Sequence, residues 1–150
     1  RYGYGTSAFG EGWALYSEQL ALEAGLATDP YDEIGILQSE LFRAVRLVVD
    51  TGIHYKKWTR EEAMNYMKEK TGMSDTEVRS EIERYIVWPA QALSYKVGML
   101  KVLELRQLAM DALGNDFDYK EFHSILLDNG EPPLFILEKL VKNWIALKQS

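Results

Sequence analysis

What most constrains the fold of this chain is a series of helix start and stop signals with helical spacing between them. Thr59 with Glu62, and Ser74 with Glu77, each pair a hydroxyl N-cap with a carboxylate three residues later, the arrangement that satisfies the orphan amides of a helix start. These two capping boxes open helices over 60–71 and 75–87. Gly25, Gly52 and Gly114 read as stops, because glycine takes the left-handed conformation that closes a helix without a Cβ penalty. Gly25 thus ends a helix over 9–25. Gly52 ends one over 32–51, in which Ile34, Leu37, Leu41, Val45 and Val48 recur at spacings of three and four. Pro89 suits the first turn of a long helix reaching Leu113. Asp118 with Glu121 starts a short helix that stops at Gly130, and Pro132 and Pro133 introduce the last one, to about Leu147.

No segment alternates with the period of two that marks a half-buried strand, and β-branched residues cluster only inside helical patterns such as RAVRLVVD. The expected fold class is all-α with about seven helices. At 150 residues, 47% hydrophobic and 27% charged, the chain has the size and balance of a single globular helical domain over 1–150. It carries no internal repeat and no linker long enough to divide it.

The charge pattern narrows the partners. Seventeen Lys and Arg are scattered among 23 Asp and Glu for a net charge of -6, so phosphate backbones are repelled and nucleic acid is not an expected partner. With no Cys, disulfides, thiolate ligands and a cysteine nucleophile are excluded, and the compartment stays open on that count. No run approaches the roughly 18 apolar residues of a membrane span. The sequence starts at Arg1 in an aromatic and glycine-rich run without a charged n-region or apolar h-region, and reads as the interior of a longer protein.

Three segments carry residues that can do chemistry. In EGWALYSE, Glu11 and Glu18 lie seven residues apart and share one face of an otherwise apolar helix. A carboxylate buried there needs a cation, a metal or hydrogen-bond donors, whereas one near the helix start can simply favour the helix dipole. In RAVRLVVDTGIHYKKW and the turn before it, Glu40, Arg43, Leu47, Asp50 and His54 follow helical spacings. They draw a polar line in which Arg43 and Asp50 could pair, either as a catalytic row or as a buried network that fixes packing. In RYIVWPAQALSYKVG, Tyr85 precedes Pro89, Gln91 and Tyr95 fall one turn apart, and Gly98 allows another backbone to approach closely. Phenols there can serve an oxyanion or simply fill a core. His123 is expected to be a satisfied structural histidine. Phosphate loops, a GxSxG elbow, HExxH and the paired Glu-x-x-His of di-iron bundles are all missing from the sequence.

In this order the segments EGWALYSE, RAVRLVVDTGIHYKKWTREEAMNYM, EIERYIVWPAQALSYKVG with LELR, and FDYKEFHSILLDNGEPPL closely resemble the C-terminal part of a bacterial family catalogued as domain of unknown function 885. Its members are similar to zinc metallopeptidases and are often described as lipoproteins. The resemblance spans nearly the whole chain and implies the helical C-terminal part of a gluzincin-like zinc peptidase acting on peptide substrates. Two zinc-binding histidines and the general base would come from an HExxH helix in an upstream segment, and Glu11 would be the third ligand. His54, Tyr95 and Tyr85 become candidates to stabilise the oxyanion or grip the peptide. Arg43, Arg46 and Gln91 become candidates for substrate contact, an arginine being able to hold a C-terminal carboxylate. Zinc is the implied cofactor of the intact parent protein, with none expected on this chain alone, which would then be inactive. The resemblance further implies a periplasmic, lipid-anchored or secreted location. The family pattern has Gly where Ala90 stands, which puts the helix start there in doubt. Two other readings remain: a non-catalytic helical module that binds peptides or proteins, and a homo-oligomer that buries exposed apolar surface, with Trp13, Trp58, Trp88 and Trp144 partly bare.

Overall fold

Residues 6–150 are described by a computed structural model, so the RYGYG run at 1–5 lies outside the described residues. Among those described there are seven α-helices and no strand. They are α1 (Ser7–Glu23), α2 (Pro30–His54), α3 (Arg60–Thr71), α4 (Asp75–Val87), α5 (Ser94–Leu113), α6 (Tyr119–Leu127) and α7 (Leu134–Lys148), with 3₁₀ turns at Gln91–Leu93 and Gly114–Asp116. The two capping boxes form as expected at Thr59 and Ser74. Asp118 caps α6 through the Glu121 amide, and Gly25, Gly114 and Gly130 have positive φ at or near their helix ends.

The helices enclose two apolar clusters. One joins α1, α5, α6 and α7 around Phe9, Tyr16, Leu105, Phe122, Leu137 and Val141. The other joins α2, α3, α4 and the first 3₁₀ turn around Val49, Ala63, Met67, Ile82, Tyr85 and Ala92. The tightest join lies between α1 and α5, where a Cβ on Gly12 would stand 2.4 Å from the Gly98 Cα and one on Gly98 would stand 1.8 Å from the Ala8 carbonyl oxygen. Two missing side chains therefore let the helix backbones touch, as Gly98 suggested.

Three sequence expectations are corrected. Gly52 does not stop α2, which runs on to His54; it is instead the floor for the Trp58 indole, from which a Cβ would be 2.4 Å away. Pro89 does not begin the long helix. Ala90 has φ 68 and ψ -13, a left-handed conformation that interrupts the path from α4 to α5, and the α-helix starts only at Ser94. The stripe on α2 is buried only in part. Val45 and Val49 face the core and Val48, between them, lies on the outer face, whereas Ile34, Leu37 and Leu41 are exposed because the 25 residues of α2 outrun the 12 and 13 of α3 and α4. Of the four tryptophans, Trp88 is bare at 59% exposure, Trp13 and Trp58 are half-buried, and Trp144 is buried.

Candidate functional site

The polar residues singled out in the sequence meet mainly where α1, α2, α4 and the start of α5 converge. α1 brings Glu11 there because Gly12, the next residue, sits against Gly98 and pins this turn of the helix to α5. The Glu11 side chain is half-buried, and among the described residues its one hydrogen-bonding neighbour is the Gln91 amide, with Nε2 3.5 Å from Oε1. Gln91 is placed by the turn before it. The Ala90 N–H donates to both Asp50 oxygens, at 3.1 and 3.3 Å, so α2 fixes the point at which the 3₁₀ turn begins. Asp50 is buried, and burial pushes its carboxyl above the usual aspartate range, only partly offset by the Ala90 N–H and the nearby His54.

Behind Gln91 lies a hub that the sequence reading did not single out. Glu81 Oε2 accepts from Arg46 Nη2 at 2.9 Å, Arg84 Nη2 at 2.9 Å and the Tyr85 hydroxyl at 2.5 Å. Burial raises the Glu81 carboxyl, but the hydrogen bonds of Arg84 and Tyr85 and the charge of Arg46 outweigh it and hold the group below the usual glutamate range. Tyr85 is pushed the other way, first by burial and then by its bond to Glu81. A signal for this hub was present in EIERY, where Glu81, Arg84 and Tyr85 stand at i, i+3 and i+4 on one helix face.

The remaining candidates fall around this core at different depths. Tyr85 has no exposed surface and its hydroxyl also accepts from Arg46 Nε at 2.8 Å. Arg46 is 6% exposed, and its guanidinium stacks over Phe42 and Tyr95, 4.2 and 4.9 Å from the ring centroids. Arg43 does not pair with Asp50. Its Nη1 donates to the Ser39 hydroxyl and carbonyl, and that hydroxyl donates in turn to Glu18, so Ser39 links the cation to the second carboxylate of the α1 face. Tyr95 is half-buried beside both arginines, and its hydroxyl has no hydrogen bond to a described residue. His54 Nε2 lies 2.9 Å from the Tyr85 carbonyl oxygen, which can only accept, so the proton is on Nε2. Lys96, missed in the sequence, reaches Glu40 across α2 and α5.

His123 belongs to the other cluster, where its Nε2 is 2.9 Å from the Tyr16 hydroxyl and Trp13 meets its ring edge-on. Burial and the charge of Arg106 depress its pKa. Both histidines are thus engaged away from Glu11. Among the described residues no three His, Cys, Asp or Glu stand close enough together to hold a metal ion. Glu11, with one long contact from Gln91, is the carboxylate of this region with the fewest partners among the described residues.

Comparison with known proteins places the chain in context. A family model described as bacterial protein of unknown function (DUF885) matches residues 1–141. The crystal structure of a candidate lipoprotein from Colwellia psychrerythraea is 55% identical, superposes with a TM-score of 0.92, and is matched over 95% of this chain and 24% of its own. A candidate lipoprotein of unknown function from Shewanella oneidensis is 28% identical with a TM-score of 0.87, over 93% of this chain and 26% of its own. The chain therefore spans about a quarter of the length of each of these structures. No curated protein matches.

Proposed function

The chain belongs to the DUF885 family, and from that premise we propose that it forms one wall of the cleft of a zinc-dependent peptidase, with Glu11 as the carboxylate ligand. The observation that carries this reading is the setting of Glu11. It is a half-buried carboxylate, held in place by the Gly12–Gly98 contact, with a single long contact from Gln91 among the described residues. Such a group is fixed in position yet retains lone pairs for a cation. Two imidazoles and the general base come, in this reading, from outside this chain. Bound zinc supplies an activated water and polarisation of the scissile carbonyl.

The chain's own residues then divide by accessibility. Tyr95, with its hydroxyl uncommitted to any described residue, is the group suited to donate to a substrate carbonyl or its oxyanion. The guanidinium groups of Arg43 and Arg46 lie 5.8 and 4.9 Å from its ring centroid, contacts that hold the ring in place. Tyr85 and Arg46 act from behind this surface: the Tyr85 hydroxyl is taken up by Glu81 and Arg46, and Arg46 gives Nε to Tyr85 and Nη2 to Glu81, while its buried Nη1 has no hydrogen bond to a described residue. His54 offers only Nδ1 to a ligand, and that nitrogen donates only when the ring is protonated. Arg43 is half-buried and is the guanidinium placed to meet a peptide carboxylate. A lipid-anchored or secreted location is proposed from the lipoprotein descriptions of the two similar structures.

The test is metal analysis and peptide hydrolysis by the full natural protein. Stoichiometric zinc in the wild type, with loss of zinc and of hydrolysis in Glu11→Ala, is the expected result. Zinc content that survives Glu11→Ala unchanged sinks the proposal. Zinc retained by a protein that hydrolyses no peptide leaves a metal-dependent binding module.

A further inference from the structure

We propose that Arg84 is a positioning residue for Glu11, acting through the amide of Gln91 and anchored by Glu81, so that a carboxylate ligand on one side of the site is oriented from α4 on the other. The inference rests on the reading of Glu11 as a zinc ligand.

The chain of contacts has only one consistent polarity. Arg84 Nη2 donates to Glu81 Oε2 at 2.9 Å, and from that anchored position its Nη1 donates to Gln91 Oε1 at 2.7 Å. A guanidinium has five donors and no acceptor. The oxygen of the Gln91 amide must therefore face Arg84, because the opposite orientation would set NH₂ against N–H. The NH₂ group is then aimed at Glu11, whose Oε1 lies 3.5 Å from Nε2. Arg84 thus determines which end of Gln91 the carboxylate meets. The hydrogen bond biases Glu11 toward presenting its second oxygen to a cation, the role that outer-shell donors play for metal-binding carboxylates.

The geometry that supports the relay is over-determined elsewhere in the structure. Glu81 also binds Arg46 and Tyr85, both buried, so the anchor cannot swing away without breaking several bonds. Gln91 follows Ala90, whose N–H is tied to Asp50 on α2. A lysine at position 84 keeps the charge and can reach Glu81, but its single ammonium cannot hold Glu81 and Gln91 with the spread of a planar fork.

The test measures zinc affinity of the full natural protein by competition with a chelator. Arg84→Met and Gln91→Met should each weaken zinc binding about 10-fold, the lower end of the range for outer-shell partners, and Arg84→Lys should resemble Arg84→Met. The double variant Arg84→Met/Gln91→Met should lose no more than either single one, because both remove the same path. Unchanged affinity in the single variants overturns the proposal, as does a double loss near the product of the two. Glu11→Gln separates the inference from its premise: if it leaves zinc affinity intact the ligand reading fails, and if it abolishes binding while the Arg84 variants do not, the relay alone fails. A metal-free readout is the side-chain amide NMR signal of Gln91. It should shift on Glu11→Gln in an otherwise wild-type protein and stay still when Arg84→Lys is already present; a shift of equal size in both backgrounds overturns the relay whether or not zinc binds.

Discussion

Replacing Ala90 by Gly should stabilise the protein, and the size of the gain follows from the local geometry. Ala90 sits at φ 68 and ψ -13, where its Cβ crowds the backbone. An L-residue in this region pays about 1–2 kcal/mol, which glycine does not pay. Against this, glycine gives the unfolded chain more freedom, a cost of about 0.4–1 kcal/mol. The Ala90 side chain is exposed, so no buried methyl is lost, and the N–H bonded to Asp50 is kept. The net expectation is a gain of about 0.5–1 kcal/mol, or roughly 1–4 °C in Tm for a chain of this size. Urea denaturation should show the midpoint rising by a few tenths of a molar with an unchanged slope. A midpoint that stays put or falls at constant slope would refute the reasoning, since the strain assigned to Ala90 would then be relieved at no cost by its surroundings. This chain therefore carries a small, removable strain at the turn that delivers Gln91 to the site.

Other outcomes follow from the same structure. Gly98→Ala drives a methyl into the Ala8 carbonyl oxygen and to within 2.8 Å of Gly12 Cα, and should cost about 3 kcal/mol by forcing α1 off α5, read as a fall in the urea midpoint; a loss under 1 kcal/mol would mean the helices part easily. His123 has a depressed pKa in the folded state, from burial and then from Arg106. The unfolded chain takes up its proton near the ordinary value of about 6.5 and the native state does not. Stability from this group is therefore complete above that pH and declines as pH falls toward the lower folded value. Urea midpoints at about pH 7.5 and 5.5, a window set by that ordinary imidazole value, should differ less in His123→Gln than in the wild type, and equal differences would rule His123 out as the source. Loss of zinc in Glu11→Ala and the non-additive pair at Arg84 and Gln91 complete the set.

Much of the architecture was readable because helix starts are local. Thr59, Ser74 and Asp118 fix their helices through contacts spanning three residues, which a linear sequence displays directly. The errors occurred where a distant residue decided the local outcome. Gly52 has the composition of a stop but serves as the floor under Trp58, and the exposed Ile34 and Leu37 belong to a stripe whose partner helices end too early to cover them. The site follows the same division. Glu11 and Tyr95 stood out by type and spacing, and Gly98 by its likeness to a packing notch. The hub at Glu81 was legible only in its local half, Arg84 and Tyr85 one turn away, because Arg46 reaches it from another helix, and the expected pairing of Arg43 with Asp50 gave way to Ser39 and Ala90 once the helices were in register.

The division of the core into two apolar clusters also bears on how the molecule opens. Clusters that share few side chains behave as separate cooperative units in hydrogen exchange, each with its own opening free energy. Glu11 rides on α1, within the unit of α5, α6 and α7, whereas Arg84, Gln91 and Asp50 belong to the unit built from α2, α3 and α4. Partial unfolding of the second unit leaves the backbone under Glu11 intact and removes its only described hydrogen-bonding neighbour. The carboxylate thereby loses its orientation in a partly unfolded state that stops short of global unfolding.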